Sequence, residues 1–145
     1  MNPDLFEEKS VIRLGQGFEG DFHFSLFERE VDGEIILKVE EDFLVKTRFG
    51  NITIKKGFLS DGASIPKLAR RFVGDPFDKE YIVAAVVHDW LYRFGIDSLL
   101  SRSQADLVFR DLLWNTKVPV WKVPVFYSAV VSFGWRSYKK EKYKL

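Results

Sequence analysis

The sequence predicts an α+β fold, with an N-terminal antiparallel β-meander followed by a C-terminal bundle of about three helices. Two observations carry this. Between Phe22 and Phe58 apolar residues recur with a period near 2, and after Asp61 they recur with a period near 3.6. A third, the length of 145 residues, suits one domain able to bury a core, with a strand-rich half over about 1–60 and a helical half over about 61–145.

The strands come first. Phe22, Phe24 and Leu26 alternate with His23, Ser25 and Phe27, and Asp32-Gly33 marks a tight turn. Further strands are expected over Glu34–Val39, Phe43–Phe49 and Ile52–Lys55, with Gly50-Asn51 as the turn between the last two and Gly57 closing the meander. Ser60–Pro66 is loop chemistry, with small residues, a permissive Gly62, and a proline that suits the first position of a short helix through Arg71.

Gly74-Asp75-Pro76 is another turn. Asp78 is a candidate N-cap for an apolar helix over about 79–94, ended by Gly95. Ser101 with Gln104 three residues on reads as a capping box, opening a helix to about Trp114 whose inward stripe is Ala105, Val108, Phe109 and Leu112. Pro119 and Pro124 punctuate the next connection, and a last helix is expected from about Val125 to Tyr138 before a basic tail.

Composition narrows the function. Hydrophobic, aromatic and charged shares of 46%, 16% and 30% are those of a folded globular chain. A formal net charge of +1 gives no global field for nucleic acid, so no such partner is expected. Without cysteine there is no disulfide framework or thiolate metal site, and two histidines are too few for an all-histidine zinc site. The start, Met1-Asn-Pro-Asp-Leu-Phe-Glu-Glu8, is not a signal peptide, and no apolar run reaches the ~20 residues of a transmembrane segment.

The feature that asks for chemistry is His88-Asp89, near the end of the apolar run Tyr81–Tyr92. A helix apolar on all sides should be buried, and burying an imidazole beside a carboxylate is costly unless each finds a partner. His88 and Tyr92 are i, i+4 and share a face, while Asp89 points about 100° away. If the two helices pack antiparallel, Asp106 comes opposite His88. A carboxylate bonded to one imidazole nitrogen fixes the tautomer and leaves the other nitrogen as a base.

Three strings together resemble the domain-of-unknown-function 1353 family: Ile52–Pro66, Ala84–Tyr92, and Ser101-Arg102 with Ala105-Asp106 and Phe109. The resemblance covers roughly residues 43–136, including Phe133-Gly-Trp135. It implies a setting in tailed phages and prophages, hence the host bacterial cytoplasm or a virion, and assigns no activity. A more distant similarity concerns chemistry. His-Asp-x-x-Tyr followed by Ala-Asp-x-x-Phe is similar to the active-site helix pair of phospholipase A-two enzymes, above all the disulfide-free type of parvoviral capsid proteins.

By that similarity His88 would be the base that activates water, and Asp106, helped by Tyr92, would orient it. Asp89 would ligate calcium (Ca2+), with Asp61, Gly62 and Ser64 as the candidate loop for the other ligands. The substrate would be a phospholipid or another ester.

Other readings stand beside this one. The same residues can be a structural staple in a non-enzymatic phage accessory or structural protein, a particle component or a modulator of a host factor. Asp61 and Ser64 can simply cap the segment at Pro66. A Ser64–His88–Asp106 triad lacks the nucleophile-elbow context, and a His-Asp metal phosphohydrolase lacks ligands beyond His23. Arg102 can bind phosphate or pair with Asp106 at i, i+4. The C-terminal segment Trp121–Trp135, with its basic tail, can lie on an anionic membrane or pack as an ordinary helix with a solvated, frayed end.

Overall fold

The computed structural model describes residues 10–12, 18–31, 33, 35–60, 81–98, 100–115 and 119–133. It bears out the α+β order, with antiparallel strands followed by three helices. The chain divides into two compact units, one of residues 1–46 and 50–61, the other of 47–49 and 62–145.

The first unit holds two sheets. In one, β1 (Ser10–Ile12), β3 (Phe22–Glu28), β4 (Ile35–Val39) and β7 (Leu59–Ser60) lie side by side in that order; in the other, β2 (Phe18–Glu19), β5 (Phe43–Thr47) and β6 (Gly50–Ile54) do. The expected strands are all present, but the run breaks between β4 and β5, since β4 pairs with β7 and β5 with β2. In the β3–β4 hairpin Phe24 is opposite Val39 and Leu26 opposite Leu37. Phe22, Phe24, Leu37, Val39, Phe43 and Val45 are buried, and the Phe22 ring lies 4.9 Å from Phe24 and 5.1 Å from Phe43. Aromatic and β-branched residues on one face of each strand supply this core.

Gly33 donates its N–H to Arg29 O and sits at φ 68°, the left-handed conformation that the expected Asp32-Gly33 turn requires. The turn placed at Gly50-Asn51 lies two residues earlier, at Arg48-Phe49, and Gly50 already begins β6. The reason is Thr47, whose hydroxyl accepts the Phe49 N–H and closes the turn itself.

In the second unit, α1 (Ile82–Ser98) is buried without interruption from Tyr81 through Asp89, as a helix apolar on all sides must be. It runs through Gly95 instead of ending there. A glycine inside a helix costs only about 1 kcal/mol relative to alanine, and the burial of this helix outweighs it. The N-cap expected at Asp78, the short helix after Pro66 and the turn at 74–76 lie outside the described residues.

Helix α2 (Arg102–Trp114) begins with the predicted capping box. Ser101 Oγ accepts from Gln104 N, and Gln104 Oε1 accepts from Ser101 N. Its buried stripe includes Ala105, Val108, Phe109 and Leu112, as expected. Helix α3 (Lys122–Phe133) starts earlier than predicted, with Pro124 inside its first turn. There the missing N–H has no intrahelical carbonyl to serve, so the proline is tolerated. Residues 134–138 of the expected helix lie outside the described residues. Helix α2 packs against both α1 and α3.

Candidate functional site

Helices α1 and α2 bring together the predicted residues. His88 has no exposed surface, and Asp106 and Tyr92 are buried beside it. His88 Nε2 lies 2.7 Å from Asp106 Oδ1, and Tyr92 OH donates to the same oxygen at 2.6 Å. The His88 ring lies 4.1 Å from the Tyr92 ring, one helical turn on, and 4.9 Å from Phe109 on α2.

The proton on the imidazole follows from this network. The carboxylate oxygen can only accept, so Nε2 carries the hydrogen and Nδ1 is left with its lone pair. Nδ1 is buried and has no hydrogen-bond partner among the described residues. Burial lowers the His88 pKa below the ordinary 6.5; the bond and charge of Asp106 oppose this without overcoming it, and Arg102 adds a smaller push downward. Burial and the neighbouring carboxylate together push the Tyr92 phenol well above its ordinary 10, which keeps it a neutral donor. The result is a neutral imidazole, oriented through one nitrogen and basic at the other.

Asp89 lies apart from this group, as its 100° offset predicts. It is buried, and its Oδ1 is 3.4 Å from Arg93 Nε, four residues along the same helix. Arg93 was not among the candidates, although an Asp with an Arg at i+4 is a sequence signal for such a pair. Among the described residues no cluster of three or more His, Cys, Asp or Glu side chains is placed to hold a metal ion. Asp61, Gly62 and Ser64, the other candidate calcium ligands, lie outside the described residues.

Arg102 stands 3.9 Å from Asp106 Oδ2 through Nε, a long form of the expected i, i+4 pair. Its guanidinium also donates to the Val131 carbonyl, one of the last carbonyls of α3. Those carbonyls have no intrahelical partner, and a cation there suits the negative end of the helix. No local sequence signal could have found this contact, because it joins residues on different helices.

Comparison with known proteins shows a family and assigns no activity. A family model described as "Protein of unknown function (DUF1353)" matches residues 37–130. The uncharacterized protein y4iH of Sinorhizobium fredii is 33% identical over 100 residues, which are 64% of this chain and 41% of that protein. The uncharacterized protein y4jT of the same organism is 32% identical over 84 residues, 56% of this chain and 23% of that protein. The chain thus spans less than half the length of these relatives. No solved structure matches.

Proposed function

The chain belongs to the DUF1353 family, and we propose that His88, Asp106 and Tyr92 make it an ester hydrolase of the phospholipase kind. One observation carries the reading: a buried imidazole is fixed by Asp106 through Nε2 while Nδ1 has no partner among the described residues. A staple needs only the first half of that arrangement. A general base needs both halves.

In the proposed reaction Nδ1 takes a proton from water as the water oxygen attacks the ester carbonyl carbon. Asp106 faces the imidazolium so formed and offsets its charge, and Tyr92 holds Asp106 in place. The proton then passes to the leaving alkoxide as the carbon–oxygen bond breaks. The products are a carboxylic acid and an alcohol, with His88 neutral again. Calcium ligation by Asp89, Asp61, Gly62 and Ser64 is part of the same proposal through the phospholipase resemblance, and no step here runs through it.

The complete burial of His88 favours a second reading, in which the group staples α1 to α2 in a phage accessory or structural protein with a phage or host partner. The phage setting implied by the family resemblance would put the protein in the host bacterial cytoplasm or a virion under either reading.

The test is fatty-acid release from mixed phosphatidylcholine–phosphatidylglycerol vesicles, with calcium and with chelator, for the natural chain, His88→Gln and His88→Asn. The Gln amide reaches the Nε2 position and keeps the donor to Asp106; the Asn amide falls short of it. As a base, His88 is needed in either case, so both variants lose turnover while His88→Gln keeps its melting temperature. Absence of release from the natural chain in both conditions rejects the phospholipase reading. Loss of about 1–3 kcal/mol in His88→Asn alone then marks the staple.

A further inference from the structure

We infer that the outer face of α3 docks onto an anionic lipid bilayer. Helix α3 is apolar on two sides. Val123, Phe126 and Val130 form its buried stripe. On the opposite side Trp121, just before the helix, is followed by Pro124, Val125, Ser128 and Val131, all exposed and spaced at three or four residues. Trp121 is 63% exposed and Val120 beside it 68%, so this end of the stripe stands open to solvent. Lys122 donates to Tyr81 OH and lies 5.6 Å from the Trp121 ring, which anchors the indole at the start of the helix.

Charge selects the occupant. Residues 112–145 contain seven Lys and Arg and one acidic residue, a net of +6 in a chain whose total is +1. The first 111 residues therefore carry −5. Helix α3 itself contains no acidic residue. An apolar stripe within a strongly cationic stretch suits a surface that is apolar beneath and negative on top, which is a bilayer containing anionic lipid. A second copy of this chain carries the same +6 segment, so charge complementarity favours an anionic surface over self-association. Nucleic acid would leave the exposed valines and tryptophan without apolar partners.

The helix has 12 residues, about 18 Å at 1.5 Å per residue, against a hydrocarbon core of about 30 Å. It can lie in the interface but not cross it.

The experiment is co-sedimentation of the full chain with phosphatidylcholine vesicles and with mixed phosphatidylcholine–phosphatidylglycerol vesicles, at low and high salt. The His88→Gln variant is run alongside, so that binding is read with turnover blocked and stands or falls separately from the hydrolase proposal. The expected result is binding to the mixed vesicles, weakened by salt, with a blue shift of tryptophan emission. Trp121→Ser with Val125→Ser weakens it by about tenfold or more, since each removes an apolar side chain from the buried contact. Both sites are exposed, and an unchanged circular dichroism melt shows that the double variant is folded. No binding to mixed vesicles, equal binding to both vesicle types, or unchanged binding of the folded double variant overturns the inference. So does a dimer of the natural chain that the double variant dissolves.

Discussion

At His88 burial and ion pairing pull the imidazole in opposite directions, and burial prevails. The folded pKa therefore lies below the ordinary 6.5, and between the two values the unfolded chain binds more protons than the folded one. Stability then rises with pH across that window and is fully present above 6.5; it is lost as pH falls through the window. Melting temperatures of the natural chain and His88→Gln, followed from pH 7 downward to about 5.5, should coincide at the neutral end and part toward the acidic end, where the natural chain falls below the variant because it alone carries this penalty. A constant difference over that range would mean that burial does not govern this imidazole. The same depression has a functional side: Nδ1 stays unprotonated, and so competent as a base, into mildly acidic solution.

Asp106 owes its place to the start of its helix. The Ser101–Gln104 box satisfies two backbone donors and fixes where α2 begins, one turn before the carboxylate. Ser101→Ala should cost about 1 kcal/mol, measured as a lowered urea midpoint at unchanged m-value. An unchanged midpoint would show that packing against α1 and α3 alone sets the helix. This start was legible in the sequence because a capping box is local chemistry. The His88–Asp106–Tyr92 group was legible for a related reason: an i, i+4 spacing on one helix and a short link to the next leave few ways to arrange them. The short strands β1, β2 and β7, of three, two and two residues, were not foreseen, since so few residues cannot display alternation. Nor was the partition of β3–β4 and β5–β6 into separate sheets, which depends on pairings between segments distant in the chain. The bond from Arg102 to the end of α3 belongs to the same class, for it is made only once three helices have packed.

Across the whole molecule, the division into two units does not follow a single cut in the chain. The three residues Thr47–Phe49, the turn that closes β5 onto β6, count with the helical unit, whereas the strands on either side count with the other. Arg48 in that turn makes a two-pronged pair with Asp111 of α2, Nε to Oδ2 at 2.8 Å and Nη2 to Oδ1 at 2.7 Å. The family match, over 37–130, likewise runs through both units. No break at one point separates the two without either opening a hairpin or taking Arg48 from Asp111. Because the three residues of that turn count with one unit and both of its strands with the other, the 145 residues should melt in one transition, with calorimetric and van't Hoff enthalpies equal, as the single-domain expectation requires. A fragment of residues 62–145 lacks Arg48 and should melt at a lower temperature than the full chain. The Arg48→Ala variant should lower the midpoint only slightly, because an exposed pair contributes about 1 kcal/mol or less. Two resolved transitions in the full chain would instead make the units independent.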